Sequence, residues 1–230
     1  TMAEAIAMLN NEYFLSFVDL CLPDAMNGEI VDVVADKIPA IVLTASNDTN
    51  KREEFMHKNI LDYIFKESDT CVDQILDAIS TLSYYAKTKV ILAMAKLPER
   101  NEIKKFLSQR LFKVLVAAHG EEALLYLEDN DDTKLIIADA KMPVVSGEEL
   151  LAEIRTKYND DDLGVVLLGE KDDVAEARVL KNSANDYLIK PLLKELFNCR
   201  LDRVLNYMQD KKFIKTYNNL DHTSGLKDHY

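Results

Sequence analysis

The chain has 230 residues, of which 48% are hydrophobic, with a formal net charge of -12 and a pI near 4.8. That acid surplus repels nucleic acid over the average surface and argues against a nucleic-acid binder. No apolar run reaches about 18 residues and no secretory signal is visible, so neither a membrane partner nor export is expected. A cytoplasmic setting fits the three scattered cysteines, Cys21, Cys71 and Cys199; no Cys/His group has zinc spacing.

Residues 1–10 have helical composition, with no strand before them. The apolar run from Phe14 to Val18 predicts a strand ending at Asp19, and 29–35 predicts a short helix. A strand follows at Ala40 to Leu43, a helical stretch at 51–57 and a strand at Ile60 to Ile64. Val72, Ile75, Leu76, Ile79 and Leu82 then recur at helical spacing and predict an amphipathic helix to Tyr84. Strands at 89–93, 113–117, 135–138, 164–168 and 186–189 follow. They alternate with helices at 99–111, 121–127, 147–158, 174–182 and 192–208. Ile103, Phe106, Leu107 and Leu111 are expected to face inward. Five strand–helix pairs of this kind predict a parallel sheet covered on both faces. Residues 210–217 read as a helical extension and 218–225 as a loop. The acidic stretches at 128–132 and 160–162 read as solvated loops.

The same signposts occur twice. FVDLCLPDAMNGE carries Asp19, Pro23 and Gly28; IIADAKMPVVSGEE carries Asp139, Pro143 and Gly147, 120 positions later between the aspartates. IPAIVLTA ends near Thr44 and LGVVLLGE near Gly169. ILDYIFK ends at Lys66 and ANDYLIKP at Lys190. An aspartate at the carboxyl end of a middle parallel strand stands where open α/β sheets place their ligands. As a nucleophile toward phosphate it forms an acyl phosphate. A hydroxyl on the next strand and a lysine on the one after it are suited to hold phosphoryl oxygens. The first copy has no segment matching the strands at 89–93 and 113–117. A longer chain of which this is a piece is the expected source of that front, and a second chain is the alternative.

These motifs resemble the receiver (CheY-like) domains of bacterial response regulators over nearly all of residues 1–209. The resemblance implies two tandem flavodoxin-like (βα)5 domains with sheet order 2-1-3-4-5, the first lacking its opening β-α-β. Receiver 1 would span 1–84, receiver 2 85–209, and a helical linker 210–230. It implies Asp19 as phosphoacceptor, Thr44 as switch hydroxyl, Lys66 as phosphate-binding lysine, and Tyr63 and Tyr187 as switch aromatics. Mg²⁺ is implied at receiver 1, with Asp19 one ligand once an acidic pair is restored. The tandem arrangement resembles regulators ending in a GGDEF domain, and Asp221, Gly225 and Leu226 match the opening of that domain, while Thr223 and Asp228 do not. A sensor histidine kinase, a diguanylate cyclase-like output domain and a second copy of the chain are the implied partners.

Receiver 2 departs from the pattern. Met94 and Ala95 stand where the acidic pair belongs, followed by Lys96, and Gly169 stands at the switch hydroxyl. Asp139 and Lys190 remain, so Asp139 is expected to pair with Lys190 or Lys96 and to bind no Mg²⁺. In receiver 1, Glu67 replaces the proline usual after the lysine. The competing expectation is a pair of unphosphorylated receivers serving as a scaffold. A metal-dependent phosphatase would need a DxD-type carboxylate pair, which neither copy supplies.

Overall fold

The computed structural model describes residues 1–9, 12–45, 54, 55, 58 and 60–224. The helical stretch expected at 51–57 falls largely outside them. The chain divides into two compact units, Thr1–Lys87 with Leu107–Phe112, and Thr88–Phe106 with Lys113–Tyr230.

In the first unit, α1 (Met2–Met8) is followed by β1 (Ser16–Asp19), α2 (Glu29–Ala35), β2 (Ala40–Thr44), β3 (Ile60–Phe65) and α3 (Cys71–Tyr85). The three strands are parallel in the order β1-β2-β3. The central strand β2 reads AIVLT and is almost wholly buried, as a strand covered on both faces must be. Val18, Ile30, Val31, Val34, Val42 and Ile60 form the core beneath α2. Thr1 and Glu4 cap α1 reciprocally, and the Asp24 carboxylate accepts from the Met2 and Ala3 amides, 2.7 and 3.1 Å away. Among the described residues, this sheet has no counterpart of the two opening strands of the second unit.

The second unit contains β4 (Lys89–Ala93), the greater part of α4 (Leu97–Gln109), β5 (Lys113–Ala117), α5 (Gly120–Asp129) and β6 (Thr133–Asp139). It continues with α6 (Gly147–Arg155), β7 (Gly164–Gly169), α7 (Asp173–Lys181), β8 (Asp186–Ile189) and α8 (Lys194–Ser224). Its parallel sheet runs β5-β4-β6-β7-β8, the 2-1-3-4-5 order. The connection direction reverses between β4 and β6, and Asp139 closes β6 at that switch point. β4, β6 and β7 are apolar runs with both faces covered, so they show no alternation of buried and exposed residues. Ser146 and Glu149 cap α6 reciprocally, and Asp172 caps α7. Phe106 of α4 lies against Phe197 of α8, with ring centroids 6.0 Å apart.

The helix expected from Val72 to Tyr84 is α3; along its apolar stripe Val72, Leu76 and Ile79 are exposed, and Leu82, with Tyr85, is buried. Three expectations are corrected. Leu111 lies beyond α4 in a left-handed turn (φ 70) rather than on its inner face. The loop expected at 218–225 is helical through Ser224. Neither glycine nor proline interrupts 194–224, and the polar residues there weaken a helix without ending it. Asp161, read as part of a solvated loop, is buried and paired with Lys215 of α8 at 2.5 Å.

Candidate phosphoacceptor sites

Asp19 is the last residue of β1, and Leu43 is its partner on β2, which places Thr44 one step further along the neighbouring strand. Lys66 follows β3 directly, and its amide donates to the Thr44 carbonyl at 2.7 Å, latching the two strand ends together. That latch puts the Lys66 side chain over Asp19, with Nζ 2.5 Å from Oδ2. The Cys21 amide donates to the other carboxylate oxygen at 3.1 Å. Partial burial works against the charged carboxylate. The Lys66 ammonium and the Cys21 N–H outweigh it and hold the Asp19 carboxyl below its usual range. Thr44 is buried. Tyr63 is half-buried, and its Oη is enclosed with no hydrogen-bond partner among the described residues.

The second unit repeats this frame with different contents. Lys190 follows β8, and its amide donates to the carbonyl of Gly169 at the end of β7, 2.8 Å away; the Lys190–Pro191 peptide is cis. Lys190 Nζ donates to Asp139 and also to Glu99 Oε2, 2.6 Å away. Lys96 takes the other oxygen of Glu99 at 2.9 Å. Two ammoniums and two carboxylates thus form one chain, Asp139–Lys190–Glu99–Lys96. Burial pushes the Asp139 carboxyl up, with Lys190 pulling against it. Burial acts to lower Lys190, but its bonds to Asp139 and Glu99 prevail and raise it, so the ammonium is held charged between two acceptors. Met94 is fully buried at the end of β4, and Ala95 is exposed. A cleft of about 240 Å³ opens beside Asp139, Glu170, Tyr187 and Lys190.

The profile of the response regulator receiver domain matches residues 98–201. A CheY homolog of Campylobacter jejuni is 33% identical over 93 residues, covering 40% of this chain and 72% of that protein. CheY1 of Helicobacter pylori is 32% identical over 108 residues, covering 46% of this chain and 87% of its own. A solved structure described as a two-component system response regulator/GGDEF domain protein superposes with a TM-score of 0.79 at 30% identity. The match covers 91% of this chain and 86% of that one.

The chain belongs to the response-regulator receiver family. Its two units are tandem receiver folds, the first without an opening β-α-β among the described residues. In receiver 1 the structure brings Asp19 and Lys66 together and sets Thr44 at the adjoining strand end. In receiver 2 it brings Asp139 and Lys190 together; Lys96, the alternative partner for Asp139, goes to Glu99 instead.

Glu99 is the site residue that sequence reading missed. The only signal for it was its spacing from Lys96 at the start of α4, three positions that put the two side chains on one face.

Among the described residues no three His, Cys, Asp or Glu side chains converge on a metal site. Asp19 offers one carboxylate, already bound by Lys66. At the receiver 2 site Asp139 and Glu99 are both bound by lysines. Neither constellation of described residues fits Mg²⁺, whose octahedral shell needs several free oxygen ligands. Among these residues no helix is long and apolar enough to cross a membrane.

Proposed function

We propose that this chain is the input part of a two-component response regulator, with Asp19 the residue that accepts a phosphoryl group from a sensor histidine kinase. The observation that carries the reading is the Lys66–Asp19 contact at 2.5 Å, with the Thr44 strand end latched to the same lysine. In the transfer, the N–P bond of the phosphohistidine breaks as an Asp19 oxygen forms the new O–P bond. Lys66 then moves from the carboxylate to the phosphoryl oxygens, and Thr44 offers its hydroxyl from the next strand. Tyr63 is the aromatic positioned on the strand that carries Lys66. Mg²⁺ enters this site only with further carboxylates from outside the described residues. Asp139 is not a phosphoacceptor in this reading, because Lys190 already binds it and Lys190 is itself held by Glu99. The output is a GGDEF-type domain linked through α8, controlled by the packing or self-association of the receivers. Support comes from the likeness to the response regulator/GGDEF domain protein.

Intact mass after treatment with acetyl phosphate and Mg²⁺ tests this. The chain joined to a complete opening β-α-β gains one phosphoryl group, which Asp19→Asn abolishes and Asp139→Asn leaves in place. No addition to Asp19 in that protein would leave the unphosphorylated scaffold as the function.

A further inference from the structure

Gly169 and Tyr187 occupy the same positions in receiver 2 that Thr44 and Tyr63 occupy in receiver 1: the last residue of the strand latched to the lysine, and the residue three before that lysine. In receiver 2 they fit into one another. A Cβ built on Gly169 would lie 1.9 Å from Tyr187 Oη and 2.6 Å from Cζ. The tyrosine ring therefore fills the space that any side chain at 169 would need. It is 5% exposed, packs into the core, and donates its hydroxyl proton to the Glu170 carbonyl at 3.0 Å. Receiver 1 solves the same place differently. Thr44 carries a side chain there, and Tyr63 is only half-buried, its hydroxyl without a partner among the described residues.

We propose that receiver 2 is locked in a single conformation by its own side chains. Tyr187 stands in for the missing side chain at 169, and Lys190 is bound between Asp139 and Glu99. Both groups that would answer a phosphoryl ligand are already satisfied without one. Outward rotation of Tyr187 would break its bond to Glu170, expose a buried ring and leave a void beside Gly169, and each of these opposes the movement. Any residue with a Cβ at 169 removes the space on which the lock depends. Burial raises the Tyr187 phenol above its usual range, in keeping with an enclosed hydroxyl.

Fluorine NMR of the whole chain labelled with 3-fluorotyrosine reads this directly. The Tyr187 signal is assigned among the ten tyrosines by its loss in Tyr187→Phe. One Tyr187 resonance is expected, with a small H₂O/D₂O isotope shift, unchanged by beryllofluoride with Mg²⁺. In Gly169→Ala the signal moves and takes on the larger isotope shift of a solvent-exposed ring. A large isotope shift in the wild type, two exchanging resonances, or movement with beryllofluoride overturns the lock. So does a folded Gly169→Ala chain whose Tyr187 signal stays in place. The wild-type readings decide the matter alone if the alanine chain does not fold. They concern receiver 2 only, so they stand apart from whether Asp19 is phosphorylated.

Discussion

At Gly147 a Cβ would lie 2.3 Å from the Asp139 carbonyl oxygen and 3.1 Å from the Ala140 Cα, both backbone atoms that have no rotamer to change. Gly147→Ala must push α6 away from the strand end that carries Asp139. A loss of about 1–3 kcal/mol or more is expected, read from the urea midpoint of receiver 2. Gly28 marks the same place in the first repeat for another reason. Its φ of +78 is left-handed, and its Cβ would meet Phe55 Cζ at 2.5 Å. The repeat of glycines was legible in the sequence; the two causes were not, because one is a backbone angle and the other a close approach to a carbonyl.

The charges at Asp19 lead to a second residue-scale expectation. Its carboxyl is held below the usual range in the folded chain. A depressed acid adds stability that is complete above its unfolded pKa and is lost as pH falls through the lower folded value. Lys66→Met removes the cation and returns the Asp19 carboxyl upward. A ¹³C titration of that carboxyl should therefore show its midpoint rise, and the part of the acid destabilisation that Asp19 contributes should shrink. An unmoved midpoint would mean that Lys66 does not hold Asp19 in solution. Aspartates and lysines at repeated spacing singled out all four residues, and the Asp139–Lys190 pair was one of two expected for Asp139. The Lys190–Glu99 bond was not legible, since it joins residues 91 positions apart across the sheet.

Helices α3 and α8 follow the lysines of the two receivers and carry similar apolar steps. Val72, Leu76 and Ile79 are 67%, 59% and 37% exposed on α3; Phe197, Leu201 and Val204 are 1%, 0% and 3% exposed on α8. Periodicity gives both helices the same stripe, and it does not reveal whether anything covers it. On α8, Phe106 of α4 does so for Phe197; on α3, no described element plays the part of α4. Leu201→Ala should therefore cost about 2–5 kcal/mol. Leu76→Ala in this same chain should stay within about 0.5 kcal/mol. Chemical denaturation of both variants checks the pair. Equal losses would show that the stripe on α3 is covered in solution.

The 31-residue α8 shows the complementary limit of sequence reading. Its inner half is fixed by the packing of Leu201, Val204, Leu205 and Met208. Its outer half has no continuous apolar stripe to announce a helix. What holds it near the domain is polar, Lys215 on Asp161, and at the end of the inner half the Tyr207 hydroxyl donates to Asp160 at 3.3 Å. Those partners lie in the turn before β7, where sequence spacing offers no hint of them.

At the scale of the whole chain, two cores of unequal size share one polypeptide. Receiver 2 has five strands, and Ile91, Leu92, Ile136, Ile137, Val166 and Leu167 in its three inner strands are wholly sequestered from water. Among the described residues receiver 1 has three, and β1, the strand that presents Asp19, stands at the edge of these three. Edge strands with fewer buried neighbours open at lower free energy than central ones. Hydrogen exchange should therefore release the amides of β1 first, then those of β2, while β4, β6 and β7 persist longest. Val42→Ala should speed exchange in receiver 1 and leave the slow amides of β6 unchanged. On that expectation the more mobile half is the one that keeps Asp19, Thr44 and Lys66, and the more rigid half is the one whose lysine is held between Asp139 and Glu99. If β2 proved as protected as β6, the two receivers would be unfolding as one cooperative body, and a ligand on Asp19 would have to act on both cores at once.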